Sequence, residues 1–198
     1  MSGAGVTGLV LASGSPRRRQ LLEMLGLSFR VVGPQVDETR KPSEVPHQYV
    51  VRIACAKAEA VAAREPGALV LAADTAVVLR AEEVFGKPES VEEAAGMLRR
   101  LAGRTHQVMS AVAVAHGARL EHAIDITDVT FRPLTSEMIA DYVATGEPLD
   151  KAGAYAIQGR GAALVEGIRG DYFGVMGLPL RLALELLERF GVPYRFTR

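Results

Sequence analysis

The sequence predicts an α/β protein built on a mixed sheet, and three observations carry that prediction. Ala68 to Ala73 is a continuous apolar run, as expected of a strand buried on both faces. Leu9 to Ala12, a turn through Gly14 and a helix start at Ser15-Pro16 form a strand–turn–helix unit. Val108 to Ala115 and Leu120 to Phe131 flank a turn at Gly117 and read as an antiparallel pair. Buried strands with intervening helices give the α/β class, and the paired strands make the sheet mixed.

The elements follow in order. Ser15 and Pro16 are the favoured N-cap and first helical residue, and Leu21, Leu22 and Leu25 give the first helix its apolar stripe. A helix N-terminus attracts phosphate, and here Ser13, Ser15, Arg17, Arg18 and Arg19 crowd that end. The alternative is a capped helix whose basic face is only solvated. Phe29 to Val32 reads as a strand, followed by a loop carrying Asp37 and Glu38 between Pro34 and Pro42. A helix from Pro46 to Ala63 has the stripe Val50, Ile53, Ala54 and Val61, and Lys57 falls on it. Lys57 either snorkels to water from the stripe's margin or reaches a cleft that holds anionic groups.

Asp74 ends the apolar run at 68–73, where it is either a turn acid or a site residue at a strand's carboxyl end. Val77 to Leu79 and Val84-Phe85 suggest a short hairpin leading to Gly86-Lys87-Pro88. Ser90 with Glu93 makes a capping box for a helix ending near Leu101, whose Arg99 and Arg100 suit the helix dipole. After the paired strands comes a short helix near Ser136 to Ala144. The glycine-rich stretch 146–177 shows little helical periodicity and reads as functional loop, with Lys151, Tyr155, Gln158, Arg160, Asp171 and Tyr172. A last helix runs from Pro179 to Phe190.

The 198 residues fit one domain (1–198), with 1–7 as a flexible leader. Gly3 to Gly8 satisfies G-x-G-x-x-G, but that motif binds dinucleotides only after a strand and before a helix, so it is a decoy. The 23 basic residues balance 23 acidic ones, which argues against a nucleic-acid coat or an anionic-membrane binder while leaving room for a local anion site. The single cysteine, Cys55, allows no internal disulfide. The leader is too short and polar for a signal peptide and no apolar run has membrane length, so the cytoplasm is the expected compartment.

Several chemistries are set aside. There is no G-x-x-x-x-G-K-[ST] loop and no G-x-S-x-G elbow, and His47, His106, His116 and His122 have no zinc spacing. What remains is a set of hydroxyls, cations and carboxylates. Ser13, Arg17, Arg18, Lys57 and Lys87 suit a triphosphate, and Glu38 and Asp74 are hard oxygen ligands for Mg²⁺ or Mn²⁺. Phosphoryl substitution needs positioning and charge neutralisation more than a protein nucleophile.

Five stretches in order carry a resemblance: Ala12-Ser13-Gly14-Ser15-Pro16-Arg17-Arg18, Val36-Asp37-Glu38, Ala72-Ala73-Asp74-Thr75, Gly86-Lys87-Pro88, and Asp150 to Tyr155 running on to Gln158-Gly159. From Leu9 to Pro179 the chain resembles the Maf family of nucleoside triphosphate pyrophosphatases, once described as septum-formation proteins. The resemblance implies an elongated mixed sheet flanked by helices, with an active-site cleft between two lobes (a Maf/ITPase-like fold). It implies hydrolysis of a nucleoside triphosphate to the monophosphate and pyrophosphate with a divalent metal, and it suggests a homodimer. Asp74 then stands at the proposed general base, and Ser13, Arg18, Glu38, Lys57 and Lys87 at the other polar active-site positions. Arg17, Thr75 and Gln158 stand at positions that separate subgroups. The pair Thr75 and Gln158 resembles the dTTP/UTP subgroup rather than the one acting on 7-methylguanosine triphosphate. A glutamine amide can donate to a pyrimidine carbonyl and accept from the ring N3–H, which suits thymine or uracil. The departures from the family pattern are the leader and Ala73, where glycine is common. A non-catalytic nucleotide sensor regulating septum formation is the competing class. It would need the cationic cradle but not both Glu38 and Asp74.

Overall fold

The computed structural model describes residues 8–80 and 83–196. The expected leader (1–7), and with it most of the glycine decoy, lies outside the described residues. Seven strands form one mixed sheet, in the order β2(Phe29–Val31), β1(Leu9–Ala12), β3(Leu69–Leu79), β5(Thr105–His116), β6(Arg119–Phe131), β7(Val165–Arg169). The seventh strand, β4(Glu83–Phe85), pairs with β3. The ladders from β2 through β1 to β3 are parallel and all the others antiparallel.

The helices cover the sheet because their apolar stripes demand it. On one face lies α2(Pro46–Ala62), which buries Val50, Ile53, Ala54, Ala58 and Val61 and packs on Val70, Ala72, Ala76 and Val78 of β3. The opposite face carries α1(Pro16–Met24) and α6(Leu180–Arg189), packed on Leu69, Leu71 and Ala73. The far half of β3, β5 and β6 meets α3(Val91–Leu101) and α4(Ser136–Ala144) in a separate cluster around Phe131. The sheet thus carries three apolar clusters: one under α2, one under α1 and α6, and one under α3 and α4. In α3, Ser90 Oγ accepts from the Glu93 N–H at 3.1 Å, and Arg100 pairs with Glu83 while lying over the Phe85 ring.

Two expectations need correction. Asp74 does not end a strand; it lies in the middle of the eleven-residue β3. The ladder with β5 holds β3 from Val70 to Val78, whereas the partner on the other edge changes. There β1 pairs with Leu69 to Ala72 and β4 with Val77 to Leu79, so that edge is unpaired between them. The relevant strand end is therefore that of β1.

The stretch 146–177 is also not a continuous loop. It holds three 3₁₀ turns (Glu147–Asp150, Ala152–Ala154, Gly159–Leu164), then β7, then the short helix α5(Tyr172–Met176). Asp171 caps α5 by accepting from the Phe173 and Gly174 N–H groups. Gly153 is required at its turn: its φ is +70°, and a Cβ would lie 2.9 Å from Val77 of β3.

Candidate active site

The split edge of β3 creates the site. Side chains alternate across a strand, so Asp74 turns toward α2 and Thr75 toward α1 and α5. A cavity of about 750 Å³ opens at the gap and is lined by residues from both faces. It gathers Ser13, Arg17, Arg18, Glu38, Lys57, Asp74, Thr75, Lys87 and Gln158, all nine positions singled out from the sequence.

On the α2 side, the Lys57 ammonium decides the geometry. It is 5% exposed and donates to Glu38 Oε2 at 2.8 Å and to Asp74 Oδ1 at 2.9 Å. The snorkelling alternative is thus excluded by an interior cation held between two carboxylates. Burial pushes the Asp74 carboxyl above its usual range, with Lys57 and Arg18 pulling it back and Glu38 adding to the rise. The Glu38 loop is tied to α2 by the Tyr49 hydroxyl, which donates to the Glu38 carbonyl at 3.0 Å.

On the α1 side, Ser15 takes the N-cap position but its hydroxyl makes no cap. Its N–H instead donates to the buried Ser13 Oγ at 3.1 Å. The three arginines divide: Arg19 pairs with Glu23 in solvent at 2.7 Å, while Arg17 and Arg18 line the cavity. Arg18 donates through Nε to the Gly177 carbonyl at 2.8 Å, and through its terminal nitrogens to Ser13 Oγ at 3.4 Å and Thr75 Oγ1 at 3.3 Å. Burial lowers the pKa of its guanidinium, opposed by the Asp74 charge.

Lys87 stands exposed on the cavity wall after β4, and Gln158 is exposed on the wall contributed by the 3₁₀ turns. Of the other polar residues noted in 146–177, Lys151 and Tyr155 both line the cavity, the Tyr155 hydroxyl being bonded to His106 Nε2 at 2.8 Å. Asp171 goes to its capping role.

Sequence reasoning missed Asp150, which pairs with Arg17 at 3.3 Å, and Tyr49 on the α2 wall. It missed Ser110 as well, a fully buried hydroxyl in the apolar run 108–115. That lone polar atom among apolar neighbours was the available signal.

No group of three or more His, Cys, Asp or Glu side chains able to hold a metal occurs among the described residues. Glu38 and Asp74 nonetheless meet around Lys57, and no described residue donates a hydrogen bond to the second oxygen of Asp74. Two hard carboxylates facing a roomy cavity fit Mg²⁺ or Mn²⁺, which keep waters and phosphates as their other ligands.

Comparisons with known proteins find relatives over nearly the whole chain. A dTTP/UTP pyrophosphatase of Shigella dysenteriae is 54% identical over 187 residues, covering 94% of both chains. One from Symbiobacterium thermophilum is 51% identical over 185 residues, covering 93% of this chain and 95% of the other. The solved structure of the Staphylococcus aureus Ham1 protein shares the fold at a TM-score of 0.52 with 16% identity, covering 93% of this chain and 97% of that one. The Maf-like protein family matches residues 8–190, and the chain belongs to that family.

Proposed function

We propose that this protein hydrolyses nucleoside triphosphates, with dTTP and UTP favoured, to the monophosphate and pyrophosphate. The observation that carries the reading is the convergence of Arg17, Arg18, Lys57, Lys87, Glu38 and Asp74 on one cavity that opens where β1 gives way to β4 along β3. The names of its relatives in Shigella dysenteriae and Symbiobacterium thermophilum support the substrate.

In this reading Ser13, Arg17, Arg18 and Lys87 hold the triphosphate and spread its charge, including the charge that develops on the bridging oxygen. Asp74 orients the attacking water and takes its proton. Lys57 opposes the rise that burial imposes on that carboxyl's pKa, by donating to Oδ1 at 2.9 Å. Glu38 and Asp74 are the ligands for a divalent cation, Mg²⁺ or Mn²⁺, which when bound polarises the phosphoryl oxygens. Gln158 reads the base through its amide, with Thr75 on the neighbouring wall.

The cytoplasm is the compartment we assign, supported by the free Cys55. A homodimer is the assembly we assign, supported by the family resemblance. No helix among the described residues is long and apolar enough to cross a membrane. The test is pyrophosphate release from a panel of dTTP, UTP, dCTP and GTP, each with Mg²⁺, with Mn²⁺ and with chelator. Metal-dependent release fastest with dTTP and UTP is expected. Nucleotide binding without release would favour the sensor, and equal rates on all four would sink the base assignment.

A further inference from the structure

Ser110 lies on β5, one strand beyond Thr75, and is fully buried. Its hydroxyl bonds the Gly174 carbonyl at 2.6 Å and Thr75 Oγ1 at 2.9 Å. A hydroxyl has one hydrogen, and a carbonyl can only accept. The Ser110 hydrogen is therefore committed to Gly174, and in the bond between the two hydroxyls Thr75 is the donor. With its own hydrogen committed, Thr75 Oγ1 turns a lone pair to Arg18, whose terminal nitrogen donates to it at 3.3 Å. The hydrogens thus run in one direction, from Arg18 to Thr75 to Ser110 to the Gly174 carbonyl. Arg18 is also fixed through Nε by the Gly177 carbonyl at 2.8 Å. Three of its N–H groups are engaged by Gly177, Ser13 and Thr75, and the remaining two are without a partner among the described residues. Arg18 itself lines the cavity.

We propose that Ser110 is a positioning residue: it sets the polarity of the Thr75 hydroxyl, and through Thr75 it aims Arg18 at the phosphates. The Thr75 side chain then serves the phosphate end of the substrate rather than the base. This rests on the reading above that Arg18 binds phosphate. It goes beyond that reading in assigning Ser110 a role and in moving Thr75 away from base selection. Without Ser110 the Thr75 hydrogen is released to the Gly177 carbonyl, 3.4 Å away, which already receives the Arg18 Nε–H. The fork then loses its fixed direction. A misaimed charged group costs rate as well as affinity, because charge neutralisation continues into the transition state.

The test compares Ser110→Ala, Thr75→Val and Thr75→Ser, each in the parent and in an Arg18→Ala background, by kcat and KM for dTTP, UTP and dCTP. Ser110→Ala and Thr75→Val are each expected to lower kcat/KM roughly 10-fold and by the same factor for all three nucleotides, since the phosphates are common to them. Thr75→Ser, which keeps the hydroxyl, is expected to recover most of what Thr75→Val loses. In the Arg18→Ala background neither Ser110→Ala nor Thr75→Val should cost more than about 2-fold, because coupled residues are non-additive. For Ser110→Ala the melting temperature should fall equally in both backgrounds, as the Gly174 carbonyl loses its donor either way. Full additivity with Arg18→Ala, or a loss confined to dTTP and UTP, would overturn the inference. If Ser110→Ala does not fold, the Thr75 variants decide alone. Unchanged kinetics in Arg18→Ala itself would instead remove the phosphate reading on which the inference stands.

Discussion

Replacing Lys57 by methionine removes the ammonium between Glu38 and Asp74 while keeping an unbranched stem of similar bulk. The two carboxylates respond differently. Glu38, with 53% of its side chain exposed, rehydrates; Asp74, with 9%, does not. Asp74 therefore sets the magnitude. Removing one partner of a buried pair costs about 3–5 kcal/mol, and the Arg18 charge that remains near Asp74 puts this case at the lower end. At roughly 2–4 °C per kcal/mol for a chain of this length, the melting temperature should fall about 6–12 °C near pH 8.

The sign with pH follows from burial, which raises the folded pKa of Asp74. The contribution of a carboxyl with a raised folded pKa is fully present below the unfolded pKa, about 3.9, and is lost as pH rises through the folded value. Lys57 limits that loss in the parent, so without it the loss grows. The difference in stability between parent and variant should be largest at pH 8 and shrink toward pH 4. Urea and thermal unfolding of both proteins across that range measure it. An equal melting temperature at pH 8, or a difference that ignores pH, would refute the argument.

Asp74→Asn leaves Lys57 its pair with Glu38, so we expect near-parental melting and retained nucleotide binding by calorimetry. Pyrophosphate release should fall by roughly 10²-fold or more, the scale of a lost general base, and activity within a few-fold of the parent would count against that role. Gln158→Glu replaces an amide donor by an acceptor and should cost dTTP and UTP on the order of 1–3 kcal/mol in kcat/KM while sparing dCTP, as steady-state kinetics would read. His106 is buried and its pKa is pushed down to about 4. A depressed folded value gives stability that is present above the unfolded pKa and lost as pH falls through the folded one. The parent should therefore lose up to about 3 kcal/mol between pH 6.5 and 4 in urea titrations, and His106→Asn should lack that part of the slope.

The legible parts of the fold were those with a long period or a polar residue in apolar company. The helices 46–62, 91–101 and 180–189 show their stripes openly, and Lys57 and Asp74 are conspicuous because they interrupt apolar patterns. The continuation of β3 past Asp74 was hidden because Asp74-Thr75 reads locally as a stop. Only β5, whose Ala111 and Ser110 pair with Asp74 and Thr75 from well beyond the reach of any local pattern, holds the strand together there. Between 146 and 177 the elements are too short for periodicity to register, and β7 is a mostly exposed edge strand. Within the site, side-chain identity was readable but partnership was not. Arg17 meets Asp150, and Arg18 meets Gly177, across 133 and 159 residues of chain. No local pattern encodes those pairings.

The cavity wall also has a net charge, although the chain as a whole has none. Arg17, Arg18, Lys57, Lys87 and Lys151 face Glu38, Asp74 and Asp150, an excess of two positive charges. The ligand that brings such a pocket to electroneutrality is doubly negative. A nucleoside triphosphate chelated by one divalent cation meets that condition, the corresponding diphosphate falls short by one charge, and an unchelated triphosphate overshoots by two. Charge matching on this scale separates the chelated triphosphate from the chelated diphosphate before the base is read at all. Once the anhydride is cleaved, the charges divide between two anions that leave separately. The monophosphate, a dianion, still matches the wall in charge, so it is the loss of the cations' grip on the other two phosphates, and not a charge mismatch, that loosens its hold.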